Sequence, residues 1–390
     1  MQKNSLKSQF YLREDITYLN FGSFGACPKP VFERYQQYQL ELEQEPVQFI
    51  TENGVQYLKE SREALAAYIH CQPDDLVYVP NPSYAVNIIA KSYPLKPGDE
   101  VLTTSLEYGT CDRTWNYYCK RAGAVYVRQP ILLPLKSKED FIEQFFKGLN
   151  SNTRILFISH LTSSTGLRLP VQEICDYARE NGLVTIVDGA HAPGQVSLDL
   201  QDLKADIYTG ACHKWMLTPK GCSFLYVRNE LQHLFDPLVI SWGYESPSPS
   251  HSQFLDYHQM QGTRDFSAFL SVPAAIDFMH RNDWEEVAKN CRQLTQTNAG
   301  KFCDLLNAFP LAPIHDQFIA QLYSIEIKTS EPEKLYRMLF ERYKIEIPVM
   351  RHAEKVFLRY SIQGFNEQAD LDKLYGALEE IIRETDLILV

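Results

Sequence analysis

Between Asp75 and Arg228, short apolar β-rich runs alternate with helix-length amphipathic segments, and this alternation constrains the fold more than any other feature of the chain. The segments follow one another as 76–79 then 83–92, 100–104 then 110–122, 154–159 then 171–181, and 183–188, 206–210 and 223–227. Repeats of strand, helix and strand wind into a mostly parallel sheet with helices on both faces, an α/β architecture. Ligands of such sheets bind beyond the carboxyl ends of the strands, so the residues just after each run are where chemistry is expected.

Beyond Phe269 the pattern changes to long helical stretches over 272–280 and 284–306, then strands near 321–327 and 356–361 with helices between and after. That is an α+β pattern. A chain of 390 residues is too long for one small core. The expected organisation is therefore an N-terminal segment, 1–20, packing on a small domain; a large α/β domain, 21–269; and a small α+β C-terminal domain, 270–390. The boundary falls after 246–252, SPSPSHS, which reads as an irregular loop.

Composition narrows the function classes. An apolar fraction of 45% excludes a disordered chain. The net charge of −11, without a basic run, argues against nucleic acid and anionic membrane as partners. The first residues hold no apolar core of signal-peptide length, no run is long enough to span a bilayer, and a cytoplasmic location is expected. The nine cysteines include no C-x-x-C pair, and no cluster has zinc spacing, so free thiols and no metal are expected.

The run 183–188 ends in Asp188 and turns through Gly189; the next, 206–210, leads into Ala-Cys-His213-Lys214-Trp215. Taken singly, Asp188 is an ordinary turn or cap residue and Lys214 a solvated loop lysine. Together, on neighbouring strand ends, they match the needs of pyridoxal 5′-phosphate (PLP). That cofactor takes one amine for a Schiff base and one carboxylate to keep its pyridine nitrogen protonated. Its phosphate requires a cup of N–H donors, and the helix expected from about Ser83 aims its N-terminus at the same face. Ser83 could cap that helix or touch phosphate.

With Asp188-Gly-Ala-His191 and His213-Lys214 in place, the chain resembles the class V aminotransferase family of PLP-dependent enzymes, fold type I. It is most similar to the isopenicillin N epimerase-like and hercynylcysteine sulfoxide lyase-like branch. The likeness is carried further by Tyr18-Leu-Asn-Phe-Gly-Ser23, Glu107-Tyr108-Gly109, Gln261-Gly-Thr-Arg-Asp265 and Leu358-Arg-Tyr-Ser-Ile-Gln363. The resemblance implies Lys214 as the Schiff-base lysine, Asp188 on the pyridine nitrogen, His191 as its neighbour, and Tyr108 stacked on the ring. Ser163 stands where the family often has an Asn bonded to the cofactor's phenolic oxygen. For the phosphate it implies Ser83, Tyr84, Ala85 and His213, joined by Gly262 and Thr263 from a second subunit of a homodimer with shared active sites. Ala211 replaces a Ser or Thr frequent in relatives, so one donor is missing. Arg359 matches the arginine that grips a substrate α-carboxylate, and Asn20 and Ser23 match a segment near the substrate. A structural ion pair is the alternative role for Arg359.

An amino acid or amino-acid conjugate is the implied substrate. The family performs epimerisation, C–S cleavage, desulfuration and amino transfer, all through the same lysine, so the cofactor does not choose among them. Residues 344–359 contain no cysteine, which speaks against a desulfurase. The expected reaction is Cα proton removal and return, an epimerase or racemase. A C–S lyase is the near alternative, an aminotransferase comes next, and a non-catalytic protein of this fold is disfavoured because Lys214 and Asp188 are both present. No G-x-G-x-x-G or G-x-S-x-G supports a dehydrogenase or a serine hydrolase.

Overall fold

A computed structural model of the chain describes residues 6–390; residues 1–5 of the expected N-terminal segment lie outside it. The alternating region forms one sheet from β1 (Leu76–Val79), β2 (Glu100–Thr104), β3 (Val125–Gln129), β4 (Thr153–Ser159), β5 (Val184–Gly189), β6 (Ile207–Ala211) and β7 (Ser223–Val227). Their spatial order is β1-β7-β6-β5-β4-β2-β3. Only β7 opposes its neighbours, pairing antiparallel with β6 and β1, while the other pairs are parallel. The expected α/β, fold type I architecture with a mostly parallel sheet is what the chain adopts.

Burial on both faces explains the apolar runs. Along β4, Leu156 and Ile158 enter one hydrophobic core while Ile155 and Phe157 enter another, as period-2 side-chain alternation dictates when helices cover both sides. Strand β3 has no counterpart among the expected segments. It is an edge strand paired only with β2, and its residues are half-buried or exposed, so it lacks the continuous apolar run that marks its neighbours.

A second, antiparallel sheet of order β9-β10-β8 follows, with β8 at Leu322–Ile327, β9 at Val349–His352 and β10 at Lys355–Ser361. The helix Trp284–Leu305 packs on β8, and the helix Gln368–Glu384 packs on that helix in turn. The N-terminal segment lies on this part of the molecule. Thr17–Tyr18 pairs in parallel with Ile345–Glu346, and the Phe10 ring meets Phe278 and Phe365 edge-on. An isolated bridge between Asn20 and Ser361 then directs residues 20–25 toward the carboxyl edge of the large sheet. No described helix is long and apolar enough to cross a membrane.

Candidate active site

Asp188 is the penultimate residue of β5, directly opposite Ser159 of β4, and its backbone carbonyl accepts the His160 N–H at 2.8 Å. The carboxylate is buried at 4% exposure; Oδ1 accepts the Ala190 N–H at 3.0 Å and Oδ2 meets the Cys111 thiol at 3.5 Å. Burial raises its pKa, opposed by the Ala190 N–H and by Lys214. Among the described residues no cation forms an ion pair with it at contact distance.

Strand β6 ends at Ala211, and the turn after it carries His213, Lys214 and Trp215. Fully buried Trp215 roots that turn in a core shared with Phe21 and Leu217. Two glycines permit the close packing around it. At Gly194, with φ +85°, a Cβ would lie 2.3 Å from the Trp215 carbonyl oxygen; at Gly25, with φ +66°, it would lie 2.2 Å from that of His213 and 2.9 Å from Lys214 Cα.

Lys214 Nζ lies 3.1 Å from His191 Nε2. The Trp215 indole, a donor only, gives its N–H to His191 Nδ1 at 3.3 Å. The imidazole proton therefore sits on Nε2 and points at the lysine's lone pair, a geometry that fits a neutral amine. Burial, reinforced by Arg359, brings the Lys214 pKa down to about 8, and burial also holds His191 well below the usual histidine range.

Arg359, on β10, is the second uncompensated charge. It is 1% exposed; Nη1 donates to the Ser163 carbonyl at 2.6 Å and its hydroxyl at 3.4 Å, Nη2 donates to Ser23 Oγ at 3.1 Å, and Nε has no partner. No carboxylate pairs with it among the described residues, so the structural ion pair is not what the chain builds. Burial lowers its pKa to about 10. Behind it, Ser23 donates to Asn20 Oδ1, Asn20 Nδ2 donates to Glu346 at 2.8 Å, and Tyr336 donates to the same carboxylate at 3.1 Å. Ser163 thus stands against the arginine, and Asn20 stands one step behind Ser23.

On the phosphate side, the helix after β1 is Pro82–Ser92, and its cap is Asn81, not Ser83: Asn81 Oδ1 accepts the Tyr84 N–H at 2.9 Å. Proline, with no N–H to leave unsatisfied, takes the first helical position, so Ser83, Tyr84 and Ala85 form the first turn. His213 Nδ1 donates to the Cys222 carbonyl at 2.8 Å, and burial lowers its pKa to about 4. Gly262, with φ +94°, and Thr263 are exposed on a loop whose Gln261 accepts the Tyr84 hydroxyl at 3.0 Å. Tyr108 caps the helix Gly109–Ala122 and is 46% exposed.

Sequence reasoning named Trp215 as a neighbour enclosing Lys214 and missed three contributors: Gly25, Cys111 and Glu107. Only Glu107 had a signal, as an acidic residue within a segment quoted for the resemblance. Among the described residues no group of three or more His, Cys, Asp or Glu is arranged to hold a metal.

The site therefore pairs a buried carboxylate lacking a contacting cation with a buried guanidinium lacking an anion, beside an amine of lowered basicity and below a helix N-terminus. Those groups fit PLP and an amino acid: a pyridinium for Asp188, a carboxylate for Arg359, a carbonyl carbon for Lys214. Residues 18–374 match the family model "Aminotransferase class-V". The chain belongs to the class V aminotransferase family, and its cofactor is pyridoxal 5′-phosphate. It is 32% identical to isopenicillin N epimerase of Amycolatopsis lactamdurans, covering 96% of this chain and 97% of that one. With a putative L-cysteine desulfhydrase of Oryza sativa subsp. japonica it shares 26% identity over 95% of this chain and 84% of the relative. Its fold is that of the apo cysteine desulfurase from Thermococcus onnurineus NA1, with a TM-score of 0.84, 20% identity and 97% of each chain covered.

Proposed function

We propose that this PLP-dependent enzyme is an epimerase or racemase that removes and returns the Cα proton of an amino acid or amino-acid conjugate. The carrying observation is Arg359, a buried guanidinium without a counter-ion in the same site as Lys214. A substrate α-carboxylate supplies the missing charge in a bidentate pair, steadied by Ser23 and Ser163 with Asn20 behind. Clamping the carboxylate fixes which bond at Cα faces the lysine.

When bound, PLP serves as the electron sink for the bond broken at Cα. Asp188 holds a proton at its ring nitrogen, and Cys111 and the Ala190 N–H keep that carboxylate in one orientation. Lys214 anchors the cofactor and then takes the proton at Cα from its own face, a role suited to an amine whose pKa burial brings down to about 8; inversion requires the proton to return on the opposite face from a donor other than Lys214. His191, locked in one tautomer by Trp215, lies beside the Lys214 amine. Tyr108 covers the ring; Ser83, Tyr84, Ala85 and His213 hold the phosphate.

Gly262 and Thr263 complete the phosphate site from a second copy of the chain. Supporting a homodimer, exposed Val239, Ile240, Trp242 and Met260 lie on the adjoining segment, where the Gly243 N–H meets the Met260 carbonyl. A monomer by light scattering that binds PLP fully would remove this part.

Proton removal and return is favoured over C–S cleavage by the higher identity to isopenicillin N epimerase, 32% against 26% for the desulfhydrase at similar coverage of this chain, while the desulfhydrase relatives keep β-elimination as the second reading. Incubation in D₂O with amino acids and sulfur conjugates separates them. Deuterium at Cα with loss of chirality is expected; release of ketoacid and ammonia with chirality retained would establish the lyase instead. Lys214→Ala is expected to abolish covalent PLP attachment and lower turnover by at least about 1000-fold, by analogy with loss of a catalytic nucleophile.

A further inference from the structure

Glu107 is a buried carboxylate, 1% exposed, that no step above uses. Three donors converge on it: the Thr104 hydroxyl at 2.7 Å, the Ser159 hydroxyl through a short bond, and the Ser159 N–H at 3.3 Å. Two of the three partners are hydroxyls, which accept as well as donate, so the same contacts hold the Glu107 carboxyl group with or without its proton. Burial pushes its pKa up to about 7, and the bonds from Ser159 and Thr104 oppose that rise. A carboxyl group is costly to bury unless its polar atoms are satisfied, so the groups that satisfy Glu107 indicate what it holds together.

Thr104 is the last residue of β2 and Ser159 the last of β4, two neighbouring strands. Glu107 therefore ties both strand ends to the loop 105–108. Other parts of that loop are also held: the Ser105 carbonyl accepts His352 Nε2 at 2.9 Å, its N–H donates to the Gln129 carbonyl at 2.9 Å, and the Leu106 N–H donates to Thr104 Oγ1 at 3.1 Å. Tyr108, the next residue, has a half-exposed ring with no hydrogen bond given to its hydroxyl among the described residues. The Tyr108 backbone is held on one side by the helix it caps, its carbonyl accepting the Cys111 and Asp112 N–H groups at 2.8 and 3.1 Å, and on the other by the loop that Glu107 ties to the strand ends.

We propose that Glu107 is a positioning residue that clamps the loop 105–108 to the strand ends and thereby sets the plane of the Tyr108 ring against the bound cofactor. This rests on the reading of Tyr108 as the stacking residue. Ring stacking depends on offset and distance, so a loop released from the strand ends loses much of the contact even with Tyr108 present.

The test is a double-mutant cycle on PLP affinity, measured by titrating apoprotein of the wild type, Glu107→Gln, Tyr108→Ala and the double variant. Each single change is expected to weaken PLP binding about five- to tenfold, and the double variant to bind no more weakly than Tyr108→Ala alone. The visible circular dichroism of bound PLP is expected to shrink alike in both single variants. Additive losses in the double variant, or wild-type affinity in Glu107→Gln, overturn the proposal and leave Tyr108 as the stacking residue. Unchanged affinity in Tyr108→Ala overturns both. Should Glu107→Gln not fold, Thr104→Val and Ser159→Ala each remove one donor and are expected to weaken PLP binding about two- to threefold, again only where Tyr108 is present. No loss in either counts against the clamp.

Discussion

The cofactor floor and the carboxylate clamp of this site are built in opposite ways. Asp188, His191 and Lys214 lie within 26 residues of one another, on two adjacent strand ends and the turns that follow them. The clamp joins Ser23, Ser163 and Arg359, with Ser23 and Arg359 separated by 336 positions, and draws on the short helix Phe21–Phe24, the loop after β4, and β10. The floor's charges sit where strand geometry delivers them. The clamp's guanidinium is desolvated by three separate parts of the chain and left without a counter-ion. A region that pays for an unpaired buried charge is held for its ligand and not for the stability of the fold.

The sharpest way to break that contrast is Arg359→Met. Losing one partner of a buried charge pair is expected to raise KM for α-carboxylate substrates about 100- to 1000-fold. The PLP absorbance should be unchanged. Removing an uncompensated buried cation should at the same time stabilise the apoprotein by about 1–4 kcal/mol in denaturant unfolding. Marked destabilisation with little change in KM would make Arg359 a structural residue and dissolve the distinction between clamp and floor.

The floor carries its own pH signature. With the Lys214 pKa down from 10.5 to about 8, the free amine increases as pH rises through 8. The rate of PLP uptake by apoprotein is therefore expected to increase about tenfold from pH 7 to a plateau near pH 9. Stability follows the same sign: between about 8 and 10.5 the unfolded chain holds the Lys214 proton and the folded chain does not, so rising pH favours the fold across that window. In Lys214→Met both dependences should flatten, and their persistence would place the titration elsewhere.

Smaller still is the expected effect of Ser23→Ala, which removes one of the clamp's supports. A rise in KM of about three- to tenfold with kcat unchanged is expected. A fall in kcat alone would move Ser23 from the clamp to the chemistry.

How much of this was legible beforehand follows the same division. The strand-end positions of Asp188 and Lys214 could be read because apolar runs mark buried strands and the chemistry of an amine with a carboxylate is distinctive. Ser83 was read as the helix start where Asn81 and Pro82 hold it, a shift of the kind that cap geometry settles and periodicity does not. Strand β3 escaped because an edge strand needs no apolar face on both sides.

By itself, then, the sequence determined the α/β architecture, the strand ends on which the lysine and aspartate stand, and through its motifs the family. Those properties reside in local pattern: period, turn residues and short spacing. The tertiary structure alone decided that Arg359 lacks a counter-ion, that Ser163 and Ser23 support it, that Trp215 fixes the His191 tautomer, and that Glu107 ties two strands to the Tyr108 loop. Each of these is a contact or a desolvation between segments remote in the chain, and burial of a charge is a property of what surrounds it.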